Sequence, residues 1–241
     1  MRIALDTTYA AGSALTGVGV YSREITHALA RAHPESLFIC CYRPHRFFRA
    51  FREQLPPNCR RRPMHEPLVS RAALFHGLNQ RLPRVRLKAA VTTFHDLFVI
   101  TGDYYEPEFR RRFEALARDA AARSDLIIAV SQFTAGQVEQ LLGVPRERIR
   151  VVPHGVLMPA SPPGVNAREK LVLHVGAIQK RKNVARLVRA FEAMPPGWRL
   201  ALAGSFGFGA AECLQAIESS PRRDSIDGLG SVDADTLARL Y

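Results

Sequence analysis

Short apolar runs alternate with stretches of helical periodicity from one end of this chain to the other, and that alternation limits the fold more than any other feature. Strands read at residues 2–6, 37–42, 89–94, 125–130, 150–152, 171–175 and 199–203. Between them, Ile25, Ala28, Leu29 and Ala32 recur at i, i+3, i+4 and i+7, which puts one apolar stripe on a first helix. Phe109, Phe113, Leu116 and Ala120 do the same for a second. A third begins at Ser131 as N-cap, buries Val138, Leu141 and Leu142, and stops at Gly143 ahead of Pro145. A fourth starts at Asn183 and carries Val184, Leu187, Val188 and Phe191, and Asp233 caps a short last one. This is the pattern of parallel sheets covered by helices, an α/β chain.

The pattern is interrupted once. Residues 153–168 hold Pro159, Pro162, Pro163 and Gly164 with no periodicity, and the strand and helix alternation restarts at Leu171. Two α/β units are therefore expected, residues 1–155 and 169–241, joined by a linker at 156–168. About 100 to 200 residues usually close the core of such a unit, so the second is predicted to be incomplete. No apolar run approaches the roughly 20 residues of a membrane span, and the first residues lack a signal-peptide layout. A soluble chain in the cytoplasm is the expectation. Cys40, Cys41, Cys59 and Cys213 are irregularly spaced and form no CxxC pair, which predicts reduced core thiols without a disulfide framework or zinc site.

Charge narrows the partners. The net +12 divides into +9 up to Gly155 and +3 beyond it. Nucleic acid, an anionic membrane surface and a phosphorylated small molecule all suit a basic protein. Arginine outnumbers lysine 30 to 4, which base composition explains as readily as chemistry. Of the two arginine runs, 60–62 and 110–112, the second lies beside Phe109 and Phe113, both expected to be buried, and reads as a solvated helix face. Basic strands interleaved with aromatic residues and a recognition-helix pattern are both missing, which speaks against nucleic acid.

Three places carry chemistry. Gly17 and Gly19, between the first strand and first helix, let backbone N–H groups approach a phosphate at a helix start. They stand some ten residues after the strand, and Ser22 occupies the place of a third glycine, so this is no dinucleotide fingerprint and a plain turn fits equally. His95 and Asp96 follow a strand at its carboxyl end, where open α/β sheets bind ligands. His95 can exchange a proton or hydrogen-bond a sugar hydroxyl, with Asp96 orienting a neighbour, although a capping aspartate beside a satisfied histidine fits too. His76, after residues 73–75, shares that placement. Gly176, Ala177, Ile178, Gln179, Lys180, Arg181, Lys182 and Asn183 open the fourth helix. Three cations at a helix start oppose the helix dipole unless a polyanion such as a diphosphate resolves the conflict. Gly204 and Ser205, in the Gly-rich stretch 204–209, form a second wall of that pocket or simply a flexible turn.

Taken together, TGVGVYSREITHAL from Thr16, LFHGLNQRLP from Leu74, TTFHDLFVI from Thr92, the stretch from Ser124 to Val156, LHVGAIQKRKNVARLVRAF from Leu173 and LALAGS from Leu200 resemble the group 1 (family 4) glycosyltransferases. The resemblance covers nearly the whole chain. It implies a GT-B fold, two Rossmann-like domains facing across a cleft. It also implies transfer of a sugar from a nucleotide-sugar donor to a glycan or lipid-linked acceptor with retention of configuration, without a metal or other cofactor. Carried over, Lys182 holds the donor diphosphate with Arg181 and Asn183 beside it, and Gly176, Gly204 and Ser205 wall the donor pocket. The Gly17 and Gly19 loop reaches the same phosphates, while His95 and Asp96 face donor sugar and acceptor.

Two departures bear on activity. Ala177 stands where many relatives have arginine. The family's two glutamates eight positions apart, which grip donor sugar and ribose, are expected after Tyr241 and do not occur in the second half. The expectation is a fragment, a truncated product or a chain completed by another, with part of the donor site missing. The histidine-containing subgroup points to surface polysaccharide synthesis, and a lipid-linked acceptor would suit peripheral contact with the inner face of an anionic membrane. The competing expectation is a non-catalytic remnant that keeps nucleotide affinity.

Overall fold

The structure, a computed structural model, describes residues 1–12, 15–65, 69–156 and 168–241. The chain divides into two compact units, Met1–Gly102 with Glu106–Val156, and Asp103–Tyr105 with Leu157–Tyr241. The linker expected at 156–168 falls, for residues 157–167, outside the described residues.

Among the described residues, seven parallel strands build the sheet of the first unit. They are β1 (Arg2–Asp6), β2 (Leu37–Tyr42), β3 (Cys59–Pro63), β4 (Leu74–Gly77), β5 (Ala90–Phe94), β6 (Leu126–Ala129) and β7 (Ile149–Val151). Their order is β3-β2-β1-β4-β5-β6-β7. The order reverses between β1 and β4, so the connections leaving these two strands diverge and open a crevice at their carboxyl ends. Strand β2 shows why the runs read as uninterrupted apolar sequence: Ile39 and Cys41 enter one core cluster, Phe38, Cys40 and Tyr42 the other. A parallel strand is covered on both faces, and every residue must suit burial. All four cysteines are buried and free.

Three longer helices cover this sheet: α1 (Gly17–Ala32), α2 (Pro107–Arg123) and α3 (Gln132–Leu142). Their ends follow the sequence. Ser131 Oγ accepts from Thr134 N at 3.0 Å, and Gly143 takes φ 67° at the end of α3. Their buried faces follow it in part: Ala120 and Val138 are buried and Ile25, Leu29, Phe113, Leu141 and Leu142 pack on the cores, but the most deeply buried positions differ. In α1 the buried line is Gly19, Ser22, Thr26 and Ala30, whereas Ala28 and Ala32 are not buried. Ser22 and Thr26 are tolerated inside because their hydroxyls donate 2.7 Å bonds to the carbonyls of Val18 and Ser22. In α2 the contact is made by Ala117, Ala120 and Ala121, and Phe109, expected to be buried, is 48% exposed. Small residues let a helix lie close on the sheet, a constraint that hydrophobic periodicity does not report.

The second unit carries a parallel sheet ordered β10-β9-β8, from β8 (Leu171–Val175), β9 (Arg199–Ala203) and β10 (Ile226–Gly230). Helices α4 (Val184–Glu192) and α5 (Ala210–Glu218) pack on it, and α6 (Ala234–Leu240) follows, capped by Asp233. Val184, Val188, Phe191, Leu200, Leu202, Cys213 and Ile226 form its core. Arg222 locks this core from outside. Its guanidinium lies 4.2 Å over the Phe191 ring and donates to the carbonyls of Phe191, Met194 and Trp198, the first two of them at the end of α4. Arg123 serves the carbonyls of Pro83 and Val85, and Arg148 those of Ala121 and Ser124. Part of the arginine excess is thus structural.

Candidate functional site

In the first unit the carboxyl ends of β4 and β5, the N-terminal half of α1 and the segment after β7 bring together His76, Thr93, Tyr21, His95 and His154. His76 Nε2 lies 2.9 Å from Thr93 Oγ1, which lies 3.1 Å from the Tyr21 hydroxyl. The Tyr21 ring meets His95 edge-on at 4.7 Å and His154 at 4.9 Å, and the two imidazoles stack at 5.4 Å. His95 Nε2 is 3.0 Å from the Leu78 carbonyl. A carbonyl only accepts, so Nε2 carries the hydrogen and Nδ1 keeps the lone pair in the neutral ring.

Burial sets the charge state of the group. It pushes His76 down to about 4, assisted by the neighbouring charge of His95. It lowers His95, against the opposing bond to Leu78 and together with His154. Desolvation lowers His154 as well and raises Tyr21, whose bond to Thr93 works the other way. At neutral pH the cluster is three neutral imidazoles and a phenol, polar but without net charge. Asp96 is half-buried, and its carbonyl accepts from Gln80 Nε2 at 3.4 Å. Sequence reasoning misses His154. Its signal is its place just beyond a strand end, the argument used for His95.

The two glycines of α1 differ. A Cβ on Gly19 would come 2.6 Å from the Tyr9 carbonyl, so packing alone demands glycine, while one on Gly17 would meet open space. Thr16 caps this helix start, accepting from Gly19 N at 3.4 Å.

In the second unit the loops after β8 and β9 run side by side as an extension of the sheet. Gly176 N donates to Ala203 O, Ile178 N to Ser205 O and Gly207 N to Ile178 O, each at 2.9 Å. Gly176 has φ 136°, and a Cβ on Gly204 would overlap the Gly176 carbonyl. Gly204 is therefore a close-approach glycine, and the 204–209 stretch is tied down rather than free. Lys180–Lys182 form a 3-10 turn of their own ahead of α4, not its first turn, and Asn183 joins the two with φ 54°. Lys180, Lys182 and Asn183 are exposed and Arg181 half-buried. His174 on β8 is lowered by burial, against opposing hydrogen bonds with the backbone of Gly176 and Ala177, and the charge of Lys182 adds to the lowering. Among the described residues no three His, Cys, Asp or Glu side chains gather as a metal site.

Residues 15–157 match the Glycosyltransferase Family 4 pattern, well over half of the chain. The chain belongs to that family. It is 31% identical over 184 residues to the O-antigen chain mannosyltransferase B of Escherichia coli, and the match covers 70% of this chain and 48% of that protein. Among solved structures it resembles sucrose-phosphate synthase from Thermosynechococcus elongatus (TM-score 0.72, 18% identity, 99% of this chain and 72% of the other). It also resembles Anabaena HepE in complex with UDP (0.65, 16%, 97% and 70%) and the lipopolysaccharide outer core galactosyltransferase WaaB (0.62, 14%, 99% and 70%). These likenesses show the GT-B fold, seven parallel strands in one unit and three in the other. The chain spans about half the length of its curated relative and about 70% of these structures.

Proposed function

We propose that this chain transfers a hexose from a nucleotide-sugar donor to a glycan or lipid-linked acceptor, with retention of configuration, in the synthesis of a surface polysaccharide. The observation that carries the reading is the exposed turn Lys180–Lys182 at the carboxyl end of β8, held by loops that cannot shift without breaking their backbone bonds. The family match and the mannosyltransferase likeness supply its reaction class, and a neighbour of the same fold is known in complex with UDP. Lys182 and Arg181 neutralise the donor diphosphate, with Asn183 and the backbone of Gly176, Gly204 and Ser205 around it. Charge grows on the departing nucleoside diphosphate in the transition state, so cations fixed beforehand lower the barrier more than they strengthen ground-state binding.

In the first unit, Gly17 leaves the start of α1 open to the phosphates and Gly19 seats that helix on Tyr9. His95 offers Nδ1 to a hydroxyl of donor sugar or acceptor, its ring fixed by Leu78, and Asp96 orients a partner next to it. A neutral pocket suits this role, because a buried cation would oppose the forming oxocarbenium character, whereas polar neutral groups align hydroxyls. The positive excess of the first unit favours peripheral contact with an anionic membrane where a lipid-linked acceptor lies.

A second reading is a protein that binds the nucleotide without turnover. Labelled nucleotide-sugars incubated with the chain and a lipid-linked glycan extract separate the two. Label appearing in the glycolipid and lost in His95→Ala supports transfer. Binding of the nucleoside diphosphate with no label transferred supports the second reading.

A further inference from the structure

At the far edge of the first sheet, four strand positions from β5, lies a surface that the sugar-transfer reading does not use. Pro44–Phe47 make one helical turn and Phe48–Arg52 continue it as a 3-10 turn. Ala50 is fully buried, and Phe47 packs on the core cluster of Phe38 and Tyr42. The turn is thereby pinned, and it holds two phenyl rings outward: Phe48 is 82% exposed and Phe51 61%. Arg49 and Arg52 alternate with them and are exposed too. A groove of about 560 Å³ runs between this turn and β3, with Arg60, Arg61 and Arg62 along one side. A second concavity of about 300 Å³ continues past Arg60 and Arg62 to Arg2 and Arg71.

Residues 43–63 contain seven arginines and one carboxylate, a net +6 and half of the excess of the whole chain. That carboxylate, Glu53, is half-buried and accepts from the Tyr42 hydroxyl at 2.8 Å, so it does little to offset the patch. Strand β3 is an edge, and arginines on an edge strand are a common guard against pairing with other chains. That explains Arg60–Arg62. It does not explain two outward phenyl rings beside them, which work against the guard.

We propose that this edge rests on a bilayer containing anionic phospholipid, with Phe48 and Phe51 at the boundary of headgroups and acyl chains and the arginines on headgroup phosphates. Apolar rings flanked by cations are what an interfacial segment needs, and the planar guanidinium grips phosphate oxygens in pairs. A nucleic-acid surface would offer ring faces for base stacking. Here the Arg61 guanidinium already lies 4.9 Å over the Phe51 ring. The proposal locates the membrane contact named above, and its readout does not involve sugar transfer, so either can fail alone.

The test is co-sedimentation of the chain with vesicles of phosphatidylglycerol and phosphatidylcholine against vesicles of phosphatidylcholine alone. Binding is expected only with phosphatidylglycerol, and weaker as salt rises. Phe48→Ser with Phe51→Ser should lower partitioning roughly tenfold, and Arg49→Gln and Arg52→Gln about fivefold each. Nucleoside diphosphate affinity should stay as in the parent. Equal binding to both kinds of vesicle, or parent-level partitioning of these variants, would overturn the proposal. So would tighter, variant-sensitive retention of a single-stranded oligonucleotide, which would reassign the patch to nucleic acid.

Discussion

The histidine cluster of the first unit and the cation turn of the second both stand at carboxyl ends of parallel strands, and they are built in opposite ways. In the cluster, His76 and Thr93 are buried, and the side chains hold one another through bonds of 2.9 and 3.1 Å. Burial removes the charge that the imidazoles would otherwise gain near neutral pH. In the turn, Lys180 and Lys182 are exposed, and their positions are set by backbone bonds between two glycine-containing loops rather than by side-chain partners. The lesson is that a parallel sheet offers two kinds of edge. One presents polar groups stripped of water, and the other presents hydrated charge.

The sharpest way to break this contrast is to disturb the backbone of the second unit. Gly204→Ala drives a methyl group into the Gly176 carbonyl and should destabilise that unit by roughly 3 kcal/mol or more. Trp198, the sole tryptophan, lies in the same unit, so its fluorescence during urea unfolding reports the loss directly. An unchanged midpoint would mean that the paired loops are loose and the turn is not held.

Protons probe the first unit. His76 titrates near 6.5 when unfolded and at about 4 when folded, so between these values the unfolded chain binds more protons. Stability present above about pH 6.5 is therefore lost as pH falls towards 4, by roughly 3 kcal/mol. Denaturation followed by circular dichroism at pH 7 and near pH 4 measures it, and in His76→Gln the drop should shrink by most of that amount. A drop of equal size in both proteins would place the titration elsewhere.

The two helix-start glycines give a smaller effect. Gly19→Ala should cost roughly 2 kcal/mol through the Tyr9 carbonyl. Gly17→Ala has open space and should change stability by no more than about 1 kcal/mol, in the favourable direction. Equal losses in the two would undo the distinction between a packing glycine and an open one.

The fold is legible where a residue's local preference and its tertiary environment agree. Strands β1, β2, β8 and β9 read out at their full lengths because both faces are apolar, and Ser131, Gly143 and Asp233 read out as caps because their chemistry is local. Strand β3 hides in an arginine run: an edge strand needs one buried residue, here Cys59, and can expose much of the rest. Strand β10 holds two glycines and an aspartate in five residues and reads as irregular. Helix faces escape hydrophobic periodicity where alanine and hydroxyl residues do the packing. At the sites, strand ends mark His95 and the cation turn. The rings that pack on His95, those of Tyr21 and His154, come from distant segments, and only tertiary packing brings them together.

Titration of a nucleoside diphosphate into the protein, by calorimetry, tests most directly whether the exposed turn rather than the neutral cluster holds the anion. Loss of a charged phosphate partner is worth about 1.5 to 3 kcal/mol, so Lys182→Ala should weaken binding at least about tenfold, while His95→Ala should leave affinity within about twofold. Parent-level affinity in Lys182→Ala, or a loss confined to His95→Ala, would contradict the account.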